Sequence, residues 1–128
     1  MKRLEFTVLG KPVAWARARQ NGRRFFTAPK QASYKDTILL QAMVAGGKAW
    51  QPIKGPVALE VTAFFDGKND WHPKRPDVDN IIKIVADALN GFAYYDDGQI
   101  VISHAYKMEG KNLPPRLCIT VAEVEQAP

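Results

Sequence analysis

Between Val57 and Phe65 the chain alternates without a break. Val57, Leu59, Val61, Ala63 and Phe65 take one side, with Glu60 and Thr62 on the other. Period-two alternation predicts a strand with one buried face. Such a strand needs neighbours for its backbone and a second layer for its apolar side. Leu4 to Leu9 alternates as well, with Leu4, Phe6 and Val8 on one face.

Two stretches read as helices. Tyr34, Ile38, Ala42 and Ala45 recur at helical spacing, with Leu39 and Met43 alongside. Ser33-Tyr34-Lys35-Asp36 has the form of a capping box opening that helix, and Gly46-Gly47 stops it. Val78, Ile81, Ile82, Val85 and Leu89 predict a second, amphipathic helix that ends at Asn90-Gly91. Ile100 to Met108 and Leu117 to Val124 read as strands. The turn-like Glu109-Gly110-Lys111-Asn112 between them predicts a hairpin. The order is β-α-β-α-β-β, which suits a two-layer α+β domain whose mixed sheet is packed by two helices. A chain of 128 residues fits one domain with one core, spanning residues 1–128.

The net charge is +5, which favours an anionic partner. Much of the excess lies between Gly10 and Lys30, where Lys11, Arg17, Arg19, Arg23, Arg24 and Lys30 occur with no acid. Asn21-Gly22 is a turn signal, so this is a long basic loop or a short hairpin. Lys11, Arg17, Arg19, Arg23 and Arg24, with Lys74 and Arg75, are candidates for phosphate contacts. Phe25-Phe26 and Trp71 are candidates for stacking on opened bases, although packing alone also explains them. The lone Cys118 excludes an internal disulfide and sits in a strand pattern, so a core position and a cytoplasmic location are expected. No apolar run approaches the roughly 20 residues of a membrane span, and no signal peptide is apparent. His72 and His104 have no zinc-ligand spacing, and His104 reads as structural.

Against this basic background, carboxylates concentrate in one stretch. Pro76-Asp77-Val78-Asp79-Asn80 opens the second helix, Lys83 and Asp87 follow at intervals of four from Asp79, and Asp96-Asp97-Gly98 lies beyond it. Each piece has a plain structural explanation. Asp77 fits a helix cap, Asp79 the helix dipole, Asp79 with Lys83 an ion pair, and Asp97-Gly98 a turn. Together they also offer oxygen ligands for magnesium and an ammonium to stabilise a scissile phosphate. A helix from Val78 to Asn90 is about 20 Å long. The seven residues from Gly91 to Asp97 span at most about 23 Å, so Asp97 reaches Asp77 only by running straight back. Otherwise Asp97 serves a second subunit, and the site is shared across a dimer.

The pieces Arg75-Pro76-Asp77-Val78-Asp79-Asn80-Ile81-Ile82-Lys83, Asp87-Ala88-Leu89 and Asp96-Asp97-Gly98-Gln99-Ile100 occur in order. This set resembles the RusA family of Holliday junction resolvases, which phages and prophages often encode. Gly10-Lys11-Pro12 followed by Arg17 and Arg19 is also similar to many members. The resemblance implies a homodimeric, magnesium-dependent endonuclease, with manganese as a possible substitute. It would cut four-way DNA junctions by paired symmetric nicks in recombination and repair, leaving a 5′-phosphate and a 3′-hydroxyl. It carries the family's essential aspartates onto Asp77, Asp79 and Asp97, the neighbouring acid onto Asp96, and the essential lysine onto Lys83. Where the best-known pattern has an arginine run before the first aspartate, this chain has Trp71-His72-Pro73-Lys74-Arg75-Pro76. On the residues alone two other readings stand. One is a non-catalytic protein that binds branched DNA. The other is a different metal-dependent phosphoesterase, against which the lack of a Gly-rich phosphate loop counts.

Overall fold

The alternating stretch is the strand β4 (Val57–Phe65), and it lies inside the sheet. Its inward residues Val57, Leu59, Val61 and Ala63 are fully buried, which requires a partner strand on each side and a layer above. One partner is β6 (Arg116–Glu123), antiparallel, and the other is β5 (Ile100–Glu109), parallel. β1 (Arg3–Leu9) closes the far edge against β6, giving the order β1-β6-β4-β5. The computed structural model describes residues 1–16, 19–21, 24–26 and 29–125.

Two helices cover one face of this mixed sheet. α1 (Pro29–Gly46) packs against β1, and α2 (Val78–Ala88) against β4 and β5. Leu4, Val8, Ile38, Leu59, Ile81, Val85, Ile119 and Val121 form one continuous core with Tyr94. A parallel pair cannot be joined by a tight turn, so the chain crosses from β4 through α2 to β5. That crossover places the start of α2 beyond the end of β4. The expected two-layer α+β arrangement, with its order of strands and helices, is therefore present.

Three expectations need correction. β5 and β6 are not a hairpin, because β4 lies between them. The turn is there, with Lys111 and Asn112 at positive φ, but it reaches across the end of β4, where Gly110 N–H donates to the Phe65 carbonyl at 2.8 Å. The Ser33 capping box is not used. α1 starts a turn earlier at Pro29, whose fixed φ suits a first helical position, and Ala45 stays exposed. The buried face of α2 is rotated from the expected one: Ile84 and Ala88 join Ile81, Val85 and Leu89, while Val78 is 41% exposed.

Within the basic segment, β2 (Arg19–Asn21) and β3 (Arg24–Phe26) pair antiparallel, so the short hairpin is the alternative that forms. Arg17, Gly22 and Arg23 lie outside the described residues.

Candidate active site

The loop after β1, the end of β4 and the start of α2 meet around an open cleft of about 830 Å³. Asp77 and Asp79 line it from the helix, Asp66 from the end of β4, and Lys11, Lys74 and Arg75 from the loops. Backbone bonds hold these walls in place. Trp15 N–H donates to the Asn80 carbonyl at 2.9 Å, fixing the first loop onto the helix start. His72 N–H donates to the Lys107 carbonyl at 2.9 Å. The Lys107 ammonium donates to the carbonyls of Lys74 and Pro76 at 2.7 and 2.8 Å, which sets the segment leading into Asp77.

The structural explanations of the acids are only partly met. Asp77 occupies the N-cap position, yet its carboxylate makes no cap hydrogen bond. Asp79 stands exposed in the first turn, where the helix dipole favours it, and no ion pair with Lys83 forms. The Lys83 ammonium lies 4.8 Å from the centre of the Trp15 ring, a cation–π contact. Lys35 approaches the same ring at 5.4 Å and binds Asp87 at 2.8 Å. Among the described residues neither carboxylate has a hydrogen-bond partner, so two exposed acids face one cleft, with a lysine steadied close by. Magnesium takes one or two carboxylates and keeps several waters, so the donor chemistry of Asp77 and Asp79 fits that ion.

Asp97 is elsewhere. It opens a short 3-10 turn, Asp97–Gln99, immediately before β5. Asp96 caps this turn, accepting the Gly98 N–H at 2.9 Å, so one of its oxygens is already committed. The Gln99 side chain accepts the N–H groups of Tyr95 and Asp96 and donates to the carbonyls of Ile53 and Gly55. These bonds pin Asp97 beside the end of α2. The buried Tyr94 hydroxyl donates to the Ala86 carbonyl at 2.6 Å, and its pKa is raised by burial first, then by the charges of Asp97, Asp87 and Asp96. Asp77, by contrast, lies where Lys107 meets Pro76. From Ile100 to Lys107 β5 runs about 23 Å at 3.3 Å per residue. The chain does not run straight back along α2. Among the described residues no three His, Cys, Asp or Glu side chains gather to hold a metal.

Three contributors were not visible in the sequence: Trp15, Asp66 and the pair of His72 with Glu109. His72 Nδ1 lies 2.8 Å from Glu109, which is 7% exposed, and the imidazole stacks on Phe65 with centroids 4.3 Å apart. The His72 hydrogen bond and the Asn69 N–H hold the Glu109 carboxyl below its ordinary 4.5. A depressed carboxyl stabilises the fold above its unfolded pKa, and that contribution is lost as pH falls through the folded value. Wild type should therefore melt above Glu109→Gln at neutral pH. The gap should close as pH drops below 4.5, as read by thermal melts across acidic pH.

Residues 10–122 match the family model described as endodeoxyribonuclease RusA. The chain belongs to the RusA endodeoxyribonuclease family. It is similar to the uncharacterized protein YqaN of Bacillus subtilis (strain 168), 32% identical over 94% of this chain and 96% of that protein. It is also similar to a crossover junction endodeoxyribonuclease rusA of Lactococcus phage r1t, 38% identical over 54% of this chain and 56% of that one. The RusA match runs from the basic segment to β6, so it takes in the cleft, Lys83 and the separated Asp97 together.

Proposed function

We propose that this chain is a magnesium-dependent endonuclease that resolves four-way DNA junctions by paired symmetric nicks. It acts as a homodimer in which each cleft takes Asp77 and Asp79 from one subunit and Asp97 from the other. The observation that carries this reading is the separation just described: a family of DNA-cutting enzymes, two acids in a cleft, and the third acid a strand's length away. The phage relative, named for crossover junctions, supports the choice of substrate.

Asp77 and Asp79 hold the ion, for which manganese is a possible substitute. When bound, it supplies Lewis acidity at the phosphate and lowers the pKa of water. Lys83, held over Trp15, places a positive charge where it offsets charge developing on the phosphate. Lys11, Lys74 and Arg75 on the cleft walls grip the backbone, and Arg17, Arg19, Arg23 and Arg24 of the basic segment supply further phosphate contacts. Water attacks phosphorus and the bond to the 3′ oxygen breaks, leaving a 5′-phosphate and a 3′-hydroxyl. Recombination and repair in the cytoplasm supply such junctions. No helix of the described residues is long and apolar enough to cross a membrane.

The test uses a synthetic four-way junction and a linear duplex of matched sequence, with magnesium and with EDTA. Paired nicks on the junction alone, abolished by EDTA, are expected. Equal cutting of the linear duplex would contradict junction resolution.

A further inference from the structure

The reaction read above leaves one need unmet. As the bond to the 3′ oxygen breaks, that oxygen takes up a proton. The carboxylates of Asp77 and Asp79 have none to give, and the Lys83 ammonium lies over the Trp15 ring. His72 lines the same cleft, with Asp66 at the end of β4 and Lys74 in its own loop. Its imidazole is fixed from two sides: the Phe65 ring stacks on one face, and Glu109 binds Nδ1 at 2.8 Å. Glu109 is fixed in turn. It accepts the Asn69 N–H at 3.0 Å, and a Cβ at Gly67, whose φ is +144, would collide with its carboxylate. Holding the loop needs only the bond at Nδ1. The His72 side chain nevertheless keeps 11% of its surface open. Among the described residues Nε2 makes no hydrogen bond, and it is not a buried unpaired atom, so the open edge of the ring is the one that meets the cleft. An imidazole with a carboxylate on Nδ1 and a bare Nε2 is the arrangement in which histidine moves protons. The other charges around it are Lys74, Asp66 and, from β5, Lys107, whose ammonium is bound to the carbonyls of Lys74 and Pro76. Among the described residues only Glu109 bonds the ring.

We propose that His72 is the general acid of the reaction and that Glu109 is its positioning residue. Both nitrogens of the imidazolium donate. The Nδ1 proton stays in the hydrogen bond to Glu109. The Nε2 proton passes to the 3′ oxygen as the bond between phosphorus and that oxygen breaks, and the electron pair of the bond ends on the 3′-hydroxyl. The oxygen of the attacking water joins phosphorus and its proton leaves to solvent. The neutral imidazole regains its proton from solvent. The inference rests on the endonuclease reading above, and neither on the choice of junction nor on the shared site.

A leaving group that needs no proton tests it. Once the cut bond is mapped, a junction is made with sulfur in place of the 3′ oxygen at that bond, since a thiolate leaves unprotonated. His72→Asn keeps a nitrogen near the place of Nδ1 and has none at Nε2. It should cut the ordinary junction on the order of 10²-fold more slowly than wild type, with binding unchanged, and the sulfur junction within about threefold of wild type. His72→Gln, which also lacks the acid, should behave alike. Glu109→Gln leaves either the Asn69 N–H or the His72 Nδ1–H without an acceptor, and its smaller loss should also vanish on the sulfur junction. Asp79→Asn, which removes an oxygen ligand and not a proton, should stay slow on both. His72 variants that cut the ordinary junction as fast as wild type overturn the proposal. So does an equal loss on both substrates, through misfolding or misplacement, since His72 is then a brace of the loop. A wild-type protein that cuts neither substrate overturns the endonuclease reading itself.

Discussion

Asp79→Asn should lower junction cleavage on the order of 10³-fold while leaving junction binding within about twofold, because it removes an oxygen ligand from the reacting centre and little else. Asp79 is exposed in the first turn of α2, makes no ion pair with Lys83, and lies on the face away from the core. The fold loses only its favourable place at the helix N-terminus, about 0.3–1 kcal/mol. Thermal melting should therefore be nearly unchanged. Band-shift titration and single-turnover cleavage on the same junction separate the two effects. If Asp79 were only a dipole partner, cleavage would survive and the small stability loss would be the whole result. An intermediate case, in which cleavage and binding fall together, would place Asp79 in the DNA grip and not at the reacting phosphate.

The parts of the fold that were legible are those governed by local periodicity. β4 is read from its alternation because the helices cover one face of the sheet and leave the other open. α2 is read from its apolar spacing and its stop at Gly91, which adopts φ +87. The Asp77-x-Asp79 pair was legible as chemistry, since two acids with a lysine one turn on exceed what capping needs. Pairing was not legible in the same way. A turn at Lys111 and Asn112 looks the same whether it joins neighbouring strands or reaches over one between them. The choice is made by the strand partners on both edges of β4 and by the crossover through α2. The start of α1 moved because Pro29 competes with Ser33, and both carry a start signal.

The missing pieces of the site are contacts between residues far apart in sequence. Trp15 steadies Lys83 only after the first loop docks on Asn80. His72 meets Glu109 because the loop before α2 lies along the end of β5. No spacing rule reaches across such distances. Chain length does not fix the position of Asp97, because a span of about 23 Å allows both geometries. The Gln99 bonds to Ile53 and Gly55 anchor the segment at the far end of β5, which is a tertiary decision.

The shared site is the central claim, and mixing two inactive proteins tests it most directly. Asp77→Asn and Asp97→Asn homodimers should each be inactive, since every cleft lacks one acid. In a mixed dimer, one cleft combines the intact Asp77 of one subunit with the intact Asp97 of the other, while the second cleft carries both defects. Denaturing and co-refolding an equal mixture gives mixed dimers as half of the population. Single nicks on the junction should then reappear at roughly a quarter of the wild-type number of working clefts, with paired nicks absent. Sites built within one chain predict the opposite, since every cleft in the mixture still carries one defect. Recovery of single-strand nicking to about that level is the result expected here, and a mixture as inactive as its two parents would contradict the shared site.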